Sequence, residues 1–142
     1  MTKTALNLVQ SLYDNWARGD FSSVEWADPE IEFVIADGPA AGKWTGLAGL
    51  AEGYREWLAG WEEVRVMAED YFELDDERVL VSVRGRGHGR ASGLKMEEIQ
   101  NRGGANLFHV RNGKVTRLVL YYDGERALTQ FGVTREGSST GA

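Results

Sequence analysis

The 142-residue sequence contains no cysteine, which removes disulfides, thiolate nucleophiles and thiolate metal sites in one step. Histidine is nearly absent too. His88 and His109 are the only two, neither has ligand spacing to another histidine, and both fall on strand parities opposite the expected interior, so no metal site is expected. No Gly-x-Ser-x-Gly elbow occurs, which sets aside a serine hydrolase of that type. No apolar run approaches the roughly 18 residues of a membrane span. The N-terminus runs straight into a helical pattern without the apolar segment of a signal peptide, so a cytoplasmic protein is expected. Basic residues are outnumbered, 16 Lys and Arg against 22 Asp and Glu for a net charge of −6, which weighs against nucleic acid as a partner.

What is present fits one globular domain. A 42% apolar share, with five each of Trp, Tyr and Phe, is enough for a single core in a chain of this length. We expect one domain over residues 1–133 and a flexible polar tail over 134–142. Residues 5–17 read as an amphipathic helix, with Leu6, Val9, Tyr13 and Trp16 on one stripe and Arg18-Gly19-Asp20 as the stop. A short helical turn is expected over 21–26, then a strand over 30–37, then a loop over 38–46. A second helix runs from Leu47 to Trp61 and carries Leu50, Tyr54, Trp57, Leu58 and Trp61 on one face.

Beyond it the period becomes two. Val64, Val66, Ala68, Phe72 and Leu74 share a parity that Asp70 interrupts. Strands follow over 79–90, 93–110 and 115–122, with Gly103-Gly104 as a bulge or bend and Asn112-Gly113 as a hairpin turn. A short helix over 125–131 closes the pattern. Helices first and antiparallel strands last mean an α+β fold, with helices covering one face of a bent sheet.

The strand over 30–37 holds the most telling residue. Alternation places Ile31, Phe33, Ile35 and Asp37 on one side. An acid ending an apolar face is costly unless paired, hydrogen-bonded or protonated, and such an acid is raw material for proton transfer. The competing reading is an Asp that begins a turn before Gly38-Pro39.

Arg84, Arg86, His88 and Arg90 alternate with glycines but lack the Lys-Ser/Thr pair and following helix of a phosphate loop. They read as an outer sheet face that pairs with Glu side chains or with a partner subunit. On the opposite parity, Val81, Val83, Gly85 and Gly87 share a face, and the glycines remove volume beside a wall of rings: Tyr13, Trp16, Phe33, Trp44, Tyr54, Trp57, Trp61, Phe72, Phe108 and Tyr122. Large walls facing missing volume point to a pocket lined by these residues and Val83.

Several segments carry a family likeness. They are 12–21 (Leu-Tyr-Asp-Asn-Trp-Ala-Arg-Gly-Asp-Phe), Trp44-Thr45-Gly46, Arg84-Gly85-Arg86-Gly87-His88-Gly89, Arg111-Asn112-Gly113-Lys114-Val115 and 122–128 (Tyr-Asp-Gly-Glu-Arg-Ala-Leu). With the element order, they resemble the cone-shaped NTF2-like superfamily, nearest its SnoaL-like and ketosteroid-isomerase-like members, over about Leu6 to Val133. The resemblance implies a strongly curved antiparallel sheet wrapped over N-terminal helices, a deep apolar pocket, and a homodimer through the outer sheet face.

It also implies cofactor-free acid–base chemistry on a small hydrophobic carbonyl or cyclic compound, as in an isomerase or polyketide cyclase. A non-catalytic binding or dimerisation module of the same fold is the alternative. Asp37 then falls at the family's proton-shuttling aspartate. Asn106 falls where the family has a protonated aspartate, and its amide would donate to the substrate oxygen. The family's helix-1 tyrosine aligns with Leu12, so Tyr13, about 100° further round the helix, or Tyr54 would be the phenol that assists.

Overall fold

A computed structural model describes residues 5–20, 25–37, 41–89 and 103–133. The elements run α1 (Ala5–Trp16), β1 (Ala27–Ile35), β2 (Gly42–Thr45), α2 (Gly46–Ala59), β3 (Trp61–Glu73), β4 (Arg78–Gly89), β5 (Gly104–Arg111), β6 (Lys114–Tyr121) and α3 (Gly124–Gln130). One six-stranded sheet has the order β2-β1-β6-β5-β4-β3. The expected turn residues 21–24, the residues 93–102 of the expected fourth strand, Arg90 and the expected tail lie outside the described residues.

In α1 the buried residues Leu8, Val9, Leu12, Tyr13 and Trp16 recur at helical spacing, and Gly19 leaves the helix at φ +80°, as its sequence predicts. Asn112 and Gly113, both at positive φ, close the β5–β6 hairpin, with Arg111 opposite Lys114, as an Asn-Gly turn should. The α2 helix carries the chain from one sheet edge to the other. The meander of β3, β4, β5 and β6 then returns it beside β1. That return makes the β1–β6 pairing parallel while every other pair is antiparallel. The sheet is therefore mixed, where an antiparallel one was expected; the exception is set by non-local routing.

Two further departures have local causes. The loop expected over 38–46 contains a four-residue edge strand, β2, paired to β1 with Phe33 opposite Trp44. In β3 the register shifts between Ala68 and Asp70, so Ala68 faces Val83 while Tyr71 faces Val81 and Phe72 faces Leu80. The inserted residue inverts side-chain parity. Tyr71 turns to the inner face, and Phe72 turns to the outer one.

The inner face packs under α1 and α2. Gly53 permits this approach, since a Cβ there would lie 2.8 Å from both Phe33 Cδ2 and Trp44 Cδ2. The outer face holds a second cluster of Phe72, Leu80, Ala105, Leu107 and Val119, covered by Ala127 and Leu128 of α3. Polar side chains also lie on it: Arg84 pairs with Glu69 at 2.9 Å, and His88 lies 3.7 Å from Glu62. Gly124 begins α3 against the start of β5, where a Cβ would lie 2.7 Å from the carbonyl oxygens of Gly103 and Gly104.

Candidate functional site

Register places the inner-face residues in rows. Ile35, Leu120, Asn106, Val81 and Tyr71 lie side by side across β1, β6, β5, β4 and β3. One row toward the hairpin, Phe33, Leu118, Phe108 and Val79 form an apolar layer. One row the other way, Gly104, Val83 and Ala68 are neighbours across β5, β4 and β3. Side-chain volume falls away along this last row. Tyr122 and Asp37 continue from the ends of β6 and β1 on its other side.

Asn106 is buried and its Nδ2 donates to the hydroxyl of Tyr13 at 2.7 Å. An amide N–H arriving at the phenol oxygen leaves the phenol proton for another acceptor, and polarises that O–H. Burial pushes the Tyr13 phenol well above its usual range. The Asn106 hydrogen bond opposes the shift, and Tyr71 and Tyr54 add to it. Tyr54 is also raised by burial. Near neutral pH these phenols are uncharged: hydrogen-bond donors, not bases.

Rings surround the pair. Tyr13 meets Trp16 edge-on at 5.1 Å, Phe108 at 5.9 Å and Tyr71 at 6.2 Å. Trp16 stacks on Phe108 at 6.0 Å and meets Tyr54 at 6.4 Å. Phe33 joins through Tyr54 at 5.2 Å and Trp44 at 5.6 Å. Trp26, buried just before β1, meets Trp16 at 5.9 Å and Tyr54 at 6.3 Å.

At the end of β6, Trp57 Nε1 donates to the hydroxyl of Tyr122 at 2.7 Å.

Asp37 lies just past the end of β1, half-buried. Its Oδ1 accepts the Tyr122 backbone N–H at 2.5 Å, and its Oδ2 accepts that of Asp123 at 3.2 Å. The carboxylate ties the end of β1 to the chain leaving β6. It retains further acceptor positions on each oxygen.

Of the sequence candidates, the structure brings Tyr13, Asn106, Trp16, Phe33, Tyr54, Phe108 and Val83 into one inner cluster, with Trp44 half-buried against it. Trp57, Trp61 and Tyr122 sit at the Asp37 end. Phe72 does not join them: the shift in β3 puts it under α3. The expected volume loss at Gly87 is also revised. Gly87 has φ +147°, and a Cβ there would lie 3.0 Å from the Glu62 carbonyl oxygen, so this glycine accommodates the irregularity in β3. Sequence reasoning missed Tyr71 and Trp26. The interruption at Asp70 was the available signal for Tyr71; nothing in the pattern pointed to Trp26.

No group of three potential His, Asp or Glu metal ligands occurs among the described residues, and none of their helices is long and apolar enough to cross a membrane.

The profile described as SnoaL-like domain matches residues 9–118. No curated protein matches the chain. Among solved structures, an NTF2-like protein from Burkholderia thailandensis superposes with a TM-score of 0.70 at 18% identity, covering 84% of this chain and 91% of that one. A candidate SnoaL-like polyketide cyclase from Mesorhizobium loti gives 0.67 at 20% identity, covering 84% and 100%. A Catenulispora acidiphila protein with a ketosteroid-isomerase-like fold, in complex with trimethylamine, gives 0.64 at 16% identity, covering 93% and 96%. At these identities the likeness shows the fold.

Proposed function

The chain belongs to the SnoaL-like domain family, and from that premise we propose that it binds a small hydrophobic carbonyl or cyclic compound in an apolar pocket and performs cofactor-free acid–base chemistry on it, as an isomerase, cyclase or hydrolase. The observation that carries this reading is the buried 2.7 Å hydrogen bond from Asn106 to Tyr13. Stability alone favours an apolar pair at such a site, because a buried polar pair recovers little more than it loses by leaving water. A neutral phenol aligned by an amide, in surroundings poor in water, suits an oxygen on which negative charge develops.

Asp37 supplies the base. It stands two residues beyond Ile35, and Ile35 shares the row of Asn106, so roughly 12 Å of sheet separates the two backbones, from two strand spacings and two residue rises. That span accommodates a ring compound whose oxygen is held at Tyr13 while a proton is removed at the other end. Acid–base chemistry beside a carbonyl needs no cofactor, because the carbonyl itself takes up the charge.

A second reading, ligand binding without chemistry, draws on the two backbone amides that already occupy Asp37. Asp37→Asn separates the two once an active substrate is in hand. The general-base role predicts a fall in kcat of about 10²-fold or more with ligand affinity retained. Unchanged turnover removes Asp37 as the base.

A further inference from the structure

Tyr122 is held at both of its ends. The β1–β6 ladder ends at Ile35 and Leu120, followed by the Ala36 N–H donating to the Leu120 carbonyl at 2.9 Å. The β5–β6 ladder ends at Tyr121, opposite Ala105. Backbone pairing resumes at Gly124, whose N–H donates to the Gly103 carbonyl at 3.1 Å. Between these points Tyr122 and Asp123 form a two-residue connector, and both of its N–H groups go to the Asp37 carboxylate, one to each oxygen.

The other end of Tyr122 reaches α2. Its hydroxyl accepts the Trp57 indole N–H at 2.7 Å, a buried contact between residues 65 apart in sequence. An indole N–H only donates, so the direction of this bond is fixed. Burial raises the Tyr122 phenol above its ordinary range, so the contact is unchanged where a carboxylate gains or loses its proton. The ring between hydroxyl and backbone is rigid. A hydroxyl fastened to α2 therefore fastens the backbone N–H that meets Asp37.

That matters for a base. Donors on both oxygens set the plane of the carboxylate and leave each oxygen a further acceptor position. A shift of the connector turns that plane, and a misplacement of about 1 Å costs up to about 10²-fold in rate. We propose that Trp57 is a positioning residue: acting through Tyr122, it holds the connector that aims the Asp37 carboxylate. The inference rests on the reading of Asp37 as the base, and it gives α2 a part in the chemistry beyond that of a wall.

The test uses 1-tetralone as probe in D₂O. Asp37 removes the C2 proton, whose bonding electrons pass into the enolate with the charge on the carbonyl oxygen. The half-buried carboxyl exchanges with solvent and returns a deuteron to C2. NMR gives the exchange rate of the saturated protein and calorimetry gives the affinity, for wild type, Trp57→Phe, Tyr122→Phe, the double variant and Asp37→Asn. Asp37→Asn is expected to slow exchange by about 10²-fold or more. Trp57→Phe and Tyr122→Phe each slow it about tenfold with affinity within about twofold. The double variant is no slower than either single one, because both act through one tie.

If only Asp37→Asn slows exchange, the positioning role is overturned and the base stands. If Asp37→Asn leaves the rate unchanged, or wild type exchanges no faster than solvent, the base is removed and the positioning role falls with it. Additive losses in the double variant show that Trp57 does not act through Tyr122, and equal losses of rate and affinity show a merely structural bond; either sinks the proposal. Tyr122→Phe keeps the ring, so its split between rate and affinity decides the matter where Trp57→Phe does not fold. A ligand-free readout accompanies these: amide hydrogen exchange at positions 122 and 123 quickens about tenfold in Trp57→Phe and Tyr122→Phe, and unchanged protection there contradicts the tie.

Discussion

The two faces of the sheet solve the same burial problem with different materials. Under α3 the outer cluster is built from Leu80, Leu107, Val119, Ala105, Phe72, Ala127 and Leu128. Under α1 and α2 the inner cluster is dense with rings and phenols. Each face also buries one polar side chain from the strands, and the contrast is sharpest there. Asn106 on the inner face has Tyr13 at 2.7 Å. Ser82, on the parity of Leu80, is fully buried and its Oγ has no partner. The outer layer buries a hydroxyl without a partner, whereas the ring-walled inner layer holds Tyr13 by an amide and Tyr122 by an indole, the contrast on which the proposed chemistry rests.

That distinction can be broken by mutation. Leu80→Ala should show the largest effect on stability, a loss of about 3 kcal/mol by chemical denaturation, while probe affinity stays within twofold. A matching loss of binding would mean that the two faces are not separable. Tyr13→Phe should cost less in stability, about 1–2 kcal/mol from the unmet Asn106 amide, yet weaken ligand binding. Adding Asn106→Leu to it replaces both partners by apolar groups and should restore wild-type stability without restoring binding. If the double variant binds as wild type does, the polar pair serves only folding. The smallest effect is expected at Ser82→Ala, which removes an unsatisfied buried hydroxyl and should be neutral or stabilising by up to about 1 kcal/mol. A loss larger than that would show an acceptor for Ser82 and weaken the contrast between the faces.

How much of this could be read in the chain follows the distance over which each interaction acts. The α1 stripe, the Gly19 exit and the Asn112-Gly113 hairpin are local, and each was legible from neighbours in sequence. The inward direction of Asn106 follows from its shared parity with Phe108. Its partner Tyr13 lies 93 residues away, and the backbone amide held by Asp37 Oδ1 lies 85 residues away, so neither contact leaves a periodic trace. The shift in β3 changes the inner face from Phe72 to Tyr71 through one extra residue, and alternation counts are blind to that. β2 is short and sits at the edge, and it takes its strand conformation from pairing with β1 more than from its own residues.

The most direct test is the ¹³Cζ resonance of Tyr13, assigned by loss in Tyr13→Phe and followed by NMR while 1-tetralone is added. Hydrogen-bond donation to a carbonyl predicts a saturable shift of this carbon, with the phenol still protonated at neutral pH and the shift diminished in Asn106→Leu. A Tyr13 signal that stays fixed while the ligand saturates its site elsewhere would contradict the oxygen-binding role at the base of the account.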